Sequence, residues 1–107
     1  MIFKPQLSTQ GYSMPSEAEV YELLQLHSEV TISGTCVYHN HAGQLHRVHG
    51  PAIIWADGDL EWWQNDQRHR TDGPAIEYND GYKEWWLNGS AYLESDYYAQ
   101  LAARSTA

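Results

Sequence analysis

Cysteine is nearly absent from this 107-residue chain, which holds a single one, Cys36. One thiol excludes an intramolecular disulfide framework and a zinc site built from several cysteines, and it fits a cytoplasmic compartment. No apolar run approaches the ~20 residues that a membrane-spanning helix needs. The first residues, MIFKPQL, lack the apolar stretch and the cleavage site of a signal peptide. We therefore expect a cytoplasmic protein without a membrane partner.

Basic residues are also scarce, since 6 Lys and Arg stand against 14 Asp and Glu and the net charge is −8. Binding to a phosphate backbone requires clustered basic side chains, so we expect no direct nucleic-acid partner. An acidic face can instead dock on a host protein with a basic face. Solubility alone is a second, sufficient reason for the acidic excess.

The sequence motifs of catalysis are missing as well. The chain contains no G-x-S-x-G, GxGxxG or GxxxxGK motif, which argues against a nucleophile elbow and against phosphate-binding loops. Cys36 has no recognisable His/Asp context, and the paired carboxylates Asp57 and Asp59 suit a turn better than acid–base chemistry. We expect no enzyme, no catalytic residue and no cofactor.

What the chain does contain is an internal repeat. The full copies, residues 46–68 and 69–91, agree at 12 of 23 positions: His, Arg, Gly, Pro, Ala, Ile, Asp, Gly, Glu, Trp, Trp and Asn. Each copy carries an Asp-Gly dipeptide between β-forming segments, which predicts a hairpin with a type I′ turn. The predicted strands cover 51–56, 60–64, 74–79 and 83–87. Residues 36–47 resemble a degenerate half-copy, with Tyr38 near the tryptophan position and Gly43 near the turn.

The alternation of side chains along these strands predicts which residues face the core. Period-2 spacing places Ile53 and Trp55 of the first copy, and Ile76 and Tyr78 of the second, on one face. Neighbouring tryptophans on a strand point to opposite faces, so one ring of each pair is partly exposed or a second layer covers the sheet. Glycine before each proline permits a turn geometry closed to residues with a Cβ.

Two helices are predicted to flank the repeats. Ser16 with Glu19 forms a capping-box pattern, and an apolar stripe predicts a helix over 16–28 that packs on the sheet. Ser95 is a plausible N-cap for a helix over 95–104, which would cover the open edge of the sheet. Residues 1–15 carry no periodicity and form an irregular leader.

The pattern HR-x-x-GPA-I, then DG-x-x-E-WW-x-N, resembles the MORN-like repeat of small bacteriophage and prophage proteins, and the tail NGSAYLESDYYAQL is similar to the way those proteins end. The resemblance covers about residues 36–100. With the helices it implies a single α+β domain, residues 1–107. Its core is an antiparallel β-meander of MORN-like hairpin repeats over 35–93, flanked by an N-terminal helix and a short C-terminal helix. The usual MORN glycine pattern is replaced by His-Arg-x-x-Gly-Pro, so the lipid binding proposed for some MORN proteins is not expected.

The phage resemblance also implies a function. We expect a non-enzymatic accessory protein that binds and inhibits a host protein, such as a defence nuclease complex of the CRISPR type, in the host cytoplasm. Aromatic rings with few rotatable bonds are typical interface anchors. The expected partner-binding residues are these rings and the acids beside them: Trp62, Trp63, Trp85, Trp86, Tyr82, Asp59, Glu61 and Glu84. A homodimeric structural module, in which exposed rings of two copies meet, is an alternative.

Histidines and arginines leave further alternatives open. Five histidines, His39, His41, His46, His49 and His69, form a loose stretch that favours a metal-binding protein or a metal-dependent enzyme as a second alternative. The structural interpretation is that His46 and His69, one per copy, hydrogen-bond backbone at the turn between copies, and we expect no metal. Arg47 and Arg70 either grip an anionic partner, pair with Glu61 and Glu84, or stack on a tryptophan.

Overall fold

The computed structural model describes residues 14–105, so the expected leader, residues 1–15, lies almost wholly outside the described residues. Helix α1, Glu17–Gln25, comes first and helix α2, Glu94–Ser105, comes last. Nine short strands lie between them: β1 His27–Val30, β2 Cys36–His39, β3 Ile53–Ile54, β4 Leu60–Glu61, β5 Trp63–Gln64, β6 Gln67–Arg68, β7 Ile76–Glu77, β8 Lys83–Leu87 and β9 Ser90–Tyr92.

Seven of the strands form an antiparallel sheet in the order β1-β2-β3-β4-β7-β8-β9, and β5 pairs with β6 in a small separate hairpin. The prediction of an α+β chain with an antiparallel meander is therefore confirmed. Of the four strands predicted from the repeat, 83–87 is confirmed at its full length, 51–56 and 74–79 are shorter than expected, and 60–64 is divided into β4 and β5. His27 and Ser28, the first two residues of β1, were assigned to the first helix, and the rest of β1, β6 and β9 were not predicted.

Successive hairpins exchange backbone hydrogen bonds at the tryptophan position. The Trp62 carbonyl accepts from the His69 N–H within its own hairpin, whereas the Trp62 N–H donates to the Ala75 carbonyl of the following copy. Tyr38 makes the same two bonds, accepting from His46 N and donating to Ala52 O. Because Trp62 bonds to two different neighbours, the strand is interrupted there, and β4 and β5 are separate strands. The bond to the following copy joins each hairpin to the next.

The Asp-Gly turns differ from the prediction. Gly58 (φ +100°) and Gly81 (φ +95°) adopt positive φ, but Asp57 and Asp80 do not, whereas a type I′ turn requires positive φ at both central residues. The Trp55–Asp59 segment instead combines a Gly58 N–H to Trp55 carbonyl bond with a Trp55 N–H to Asp59 carbonyl bond. This is a type I turn followed by a glycine bulge.

The aspartate side chains explain this choice of turn. The Asp57 carboxylate accepts from the Asp59 N–H, and the Asp80 carboxylate accepts from the Tyr82 N–H. Such Asx bonds, from an aspartate side chain to the backbone two residues on, mimic a backbone turn. Positive φ at both central residues occurs at the opposite end of the hairpins, in the Asn65-Asp66 and Asn88-Gly89 turns.

The core consists of small and aliphatic side chains between aromatic rings. The buried side chains are Thr35, Ala52, Ile53, Trp62, Ala75, Ile76, Leu87 and Tyr97. The expected burial of Ile53 and Ile76 is confirmed. The placement of Trp55 in the core is wrong, because the strand ends at Ile54 and the Trp55 ring lies in the turn, 41% exposed.

The glycines before proline serve the arginines rather than turn geometry. A Cβ on Gly50 would lie 2.7 Å from Cζ of Arg47, and a Cβ on Gly73 would lie 3.0 Å from Cζ of Arg70. Carbon atoms in contact need about 3.5 Å or more. Each glycine therefore leaves room for a guanidinium packed against the backbone. The expectation of a backbone geometry closed to other residues is wrong for Gly50, whereas Gly73 has a φ of +159°.

Helix α1 is held by a carboxylate and not by its apolar stripe. The capping box is present, with Ser16 and Glu19 bonded to each other's backbone N–H. Leu26 turns to extended backbone and His27 begins β1, so the helix ends at Gln25 and not at residue 28. No α1 residue is buried. Glu22, which lies off the stripe, accepts from the N–H groups of Val48 (2.6 Å) and His49 (2.8 Å).

Helix α2 starts at Glu94, so Ser95 lies inside its first turn and is not the N-cap. Its anchor is Tyr97, which is fully buried. The Tyr97 hydroxyl donates to the Arg70 carbonyl and accepts from the Gly73 N–H. The helix therefore packs on the end of the sheet through the loop of the second copy that runs from Arg70 to Gly73.

Replacement of Gly81 tests the turn assignment. No heavy atom lies within 4 Å of the position that a Cβ would take, so any destabilisation comes from the backbone conformation. We expect Gly81→Val to lower the free energy of unfolding by about 1–3 kcal/mol, because a β-branched residue tolerates positive φ poorly. Gly81→Asn is the matched control and should cost clearly less, since asparagine enters this region more readily. Equal melting temperatures for both variants would contradict the assignment.

Candidate functional site

The two tryptophans of each pair face opposite sides of the sheet and have different partners. Trp62 is 8% exposed, and Cζ of Arg70 lies 3.7 Å from the centroid of its ring. In the half-copy, Cζ of Arg47 lies 4.4 Å from the Tyr38 ring. The first ring of a pair is thus a platform for the arginine of the following copy.

Stacking of the arginines, one of the alternatives left open by the sequence, is therefore confirmed, and their acidic partners differ from those named. Arg70 pairs with Asp72 (2.8 Å) and Glu77 (2.8 Å), and its Nη1 also donates to the Pro74 carbonyl. The basic residue near Glu61 is Arg68, at 3.8 Å.

The second ring of each pair is tied to the repeated glutamate. Trp63 Nε1 donates to Oε1 of Glu61 (2.8 Å), and Trp55 Nε1 donates to its Oε2 (2.6 Å). One carboxylate thus fixes two indole rings. We call the side of the sheet that carries Trp55, Glu61, Trp63, Arg68, Tyr78, Glu84 and Trp86 the aromatic–carboxylate face.

The second copy repeats this arrangement. Trp86 Nε1 donates to Oε1 of Glu84 (2.9 Å), and the Tyr78 hydroxyl donates to its Oε2 (3.2 Å). Burial raises the pKa of Tyr78, and the neighbouring Glu84 carboxylate raises it further, so this hydroxyl stays a donor at neutral pH. Both glutamates therefore act as positioning groups for rings.

Arg68 joins the two halves of the aromatic–carboxylate face. Its Cζ lies 4.9 Å from the ring centroid of Trp63 and 5.0 Å from that of Trp86. Guanidinium groups within about 6 Å of a ring centroid are attracted to its π face. The cation position between these two rings is filled by the chain itself.

A second surface lies along one end of the sheet, where the turns of successive hairpins meet. We call it the acidic turn row; its members are Ile32, Trp55, Asp57, Asp59, Asp80 and Tyr82. Asn79 ties neighbouring turns together, because its N–H donates to the Asp59 carboxylate (2.7 Å) and its side chain donates to the Asp57 carbonyl (2.8 Å). Ile32 is fully exposed and Tyr82 is 63% exposed.

The expected partner-binding residues are thus distributed over three places. Trp63, Trp86, Glu61 and Glu84 lie on the aromatic–carboxylate face, half-buried. Tyr82 and Asp59 lie in the acidic turn row. Trp62 and Trp85 point to the other side of the sheet, and the indole N–H of Trp85 is buried with no acceptor within residues 14–105.

Sequence reasoning missed Trp55, Arg68 and Ile32 as surface residues. A signal existed for Trp55, because an aromatic residue stands two positions before each Asp-Gly, as Trp55 and as Tyr78. The alternation rule assigned both to the core, since it does not report where a strand ends. Nothing in the repeat marks Ile32.

The two repeated histidines have the structural role that was predicted for them. Nδ1 of His46 accepts from the Asn65 N–H (3.1 Å), and Nδ1 of His69 accepts from the Asn88 N–H (3.0 Å). Burial lowers the pKa of His69, and Arg104 lowers it further, which keeps the imidazole neutral and able to accept. Across residues 14–105 no group of three or more His, Cys, Asp or Glu side chains could hold a metal ion.

Comparisons with protein-family models, with curated proteins and with solved structures find no match to this chain. In the described part of the chain, neither helix is long and apolar enough to span a bilayer.

Replacement of Glu84 tests the role of the repeated carboxylate. A glutamine offers one carbonyl oxygen, so either Trp86 or Tyr78 loses its acceptor. We expect Glu84→Gln to lower the free energy of unfolding by about 1–3 kcal/mol, as for other buried donors left unpaired, and to shift the tryptophan emission. Glu94→Gln, which removes the same charge at an exposed position, is the control. Equal stability of the two variants in urea would contradict a positioning role.

Proposed function

We propose that the protein is a non-enzymatic binding module whose acidic turn row docks on a basic face of a partner protein. The observation that carries the proposal is the alternation of exposed apolar groups with carboxylates in this row. Ile32, Trp55 and Tyr82 offer apolar surface, and Asp57 and Asp80 are exposed beside them. Rigid rings inside a polar rim are the usual composition of a binding hot spot.

The row is already ordered before any partner binds. The Asn79 bonds to Asp57 and Asp59 link two turns, and the Ala56 N–H donates to the Thr35 hydroxyl (3.3 Å) to link the third. A preformed surface loses little conformational entropy on association. This supports binding through the row as a unit.

The distribution of charge supports a protein partner over a nucleic acid. Arg47, Arg68 and Arg70 are stacked on rings of the chain itself, and within residues 14–105 only Lys83 and Arg104 are exposed basic side chains. Two separated cations cannot neutralise a phosphate backbone. The acidic excess instead raises the rate of encounter with a basic protein face.

The resemblance to MORN-like phage proteins gives the proposal its sharper form. Hydrogen bonds that recur 23 residues apart, His46 to Asn65 and His69 to Asn88, support hairpin repeats of this kind. In that setting the protein is a phage or prophage accessory protein in the host cytoplasm. It inhibits a host protein such as a CRISPR-type nuclease complex, because an acidic row competes for a basic nucleic-acid groove.

A matched pair of variants tests the binding proposal. The partner is captured from host lysate with the unchanged protein, identified by mass spectrometry and purified. We expect Tyr82→Ala to weaken its affinity about tenfold or more, since a central ring is lost. Tyr21→Ala removes an equally exposed ring from α1, outside the row, and should leave the affinity unchanged. Association should also slow as salt rises from about 0.05 to 0.5 M, because rim charges are screened.

Other results would contradict the proposal. These are equal losses for Tyr82→Ala and Tyr21→Ala, salt-independent association, or retardation of DNA or RNA by the protein alone in a low-salt gel shift. The sharper form requires one more result. Expression of the protein in cells with an active CRISPR defence should raise the plating efficiency of a targeted phage, and Tyr82→Ala should abolish that rise.

A further inference from the structure

Each internal strand of the repeat is covered on its outer side by the next copy. Leu60–Glu61 pairs with β3 on one side and with β7 on the other. Cys36 and Val37 likewise pair with β1 and β3. In both places the covering segment has the sequence Gly-Pro-Ala-Ile.

The covering segment follows the same plan twice. Its alanine carbonyl accepts from the N–H of the platform residue, Tyr38 in one place and Trp62 in the other. Its alanine, Ala52 or Ala75, is fully buried. The arginine three residues before the glycine lies over the platform ring. An extended segment with a small buried residue and an arginine is thus the chain's own way of closing such an edge.

The last hairpin lacks this cover. Lys83 and Glu84 pair with β7 on one side, and β9 pairs only with Trp85–Leu87. Within residues 14–105 no strand lies along the outer side of Lys83 and Glu84. The residues that would continue the covering segment, 96–99, belong to α2, so the chain has left the plane of the sheet.

The third platform also lacks its arginine. Trp85 stands 23 residues after Trp62, and the residue 23 positions after Arg70 is Leu93. Leu93 is 75% exposed. A cavity of about 330 Å³ opens beside the strand, and its lining includes Tyr82, Glu84, Trp85, Tyr92, Leu93 and Glu94.

The charges around this edge select a basic occupant. Glu84 and Glu94 line the cavity, and Lys83 is the one basic residue that lines it. Two carboxylates against one ammonium leave the lining with a net negative charge, which attracts a cation, and an indole face is the ring surface that a cation prefers.

We propose that this outer edge binds an extended, basic segment of the partner protein as an added strand. The segment places an arginine over the Trp85 ring, a small residue beside Trp85 and an aliphatic residue beside Glu84, as Arg-x-x-Gly-Pro-Ala-Ile does inside the chain. Main-chain bonds supply affinity in this mode of recognition and side-chain pockets supply specificity. The inference rests on the proposed function, because it names the kind of segment that the partner offers.

The chain itself supplies the probe. A synthetic peptide with the sequence of residues 46–54, HRVHGPAII, is titrated into the labelled full-length protein while backbone amide resonances are recorded. We expect saturable shifts at residues 82–85 and 91–94. A peptide with Arg47→Ala should bind about tenfold more weakly, and a peptide with Ala52→Trp should not bind, because the small residue is enclosed.

A variant of the protein supplies the reciprocal test. Leu93→Arg restores the arginine of the repeat next to Trp85 and should weaken binding of the unchanged peptide about fivefold or more. Leu24→Arg introduces the same charge at an equally exposed site on α1 and should have no effect. Both leucines are exposed, so both variants are expected to fold, which their melting temperatures verify.

Several results would overturn the inference. The peptide could fail to saturate, its shifts could map to β1, or the two leucine variants could have equal effects. Self-association of the free protein through residues 82–85 would also overturn it, because the occupant would then be a second copy.

The two proposals fail separately. If the peptide does not bind while the captured partner keeps its dependence on salt and Tyr82, only the edge inference falls; if the peptide binds while the partner ignores Tyr82, only the acidic row falls.

Discussion

The contact on which the rest of the structure depends is the guanidinium of one copy stacked on the ring of the copy before it. Arg70 lies on Trp62 and Arg47 lies on Tyr38. Arg70 finds partners for its charge and its N–H groups in two carboxylates and the Pro74 carbonyl. Arg47 donates to the Pro51 carbonyl, and its Nε is buried without an acceptor within residues 14–105. The glycine before each proline leaves room for this contact. One interaction therefore links the repeated arginine and the repeated glycine to the ring of the preceding copy.

The same contact divides the tryptophan pair and thereby gives the two sides of the sheet different chemistry. Once Trp62 serves the arginine on one side of the sheet, Trp63 must point to the other side, where Glu61 fixes it together with Trp55. Asp57, Asp59 and Asp80, whose carboxylates accept from backbone N–H groups, lie at the turns near Tyr82. At the last copy this contact is missing, because Leu93 stands where the next arginine of the repeat would be. The Trp85 ring is therefore not covered in the way that Trp62 is.

The features of the fold that recur in both copies could be predicted from the sequence, whereas the features that depend on a single contact could not. Strand positions, burial of Ile53 and Ile76 and the backbone role of His46 could be predicted, because a feature present twice at one spacing reports a structural need. The attachment of α1 could not, since it depends on Glu22 reaching two backbone N–H groups 26 and 27 residues away. The turn type and the reason for Gly50 were also not predicted, because the Asp-Gly dipeptide suits more than one hairpin turn and the path of the Arg47 side chain depends on the Tyr38 ring.

A double-mutant cycle between Arg70 and Trp62 tests the central contact most directly. The free energy of unfolding is measured in urea for the unchanged protein, Arg70→Met, Trp62→Leu and the double variant. We expect both single variants to be destabilised and the two effects to be coupled by about 0.5–2 kcal/mol, since the double variant loses the stacked pair only once. Effects that add to within ~0.3 kcal/mol would contradict the stack as the link between successive copies.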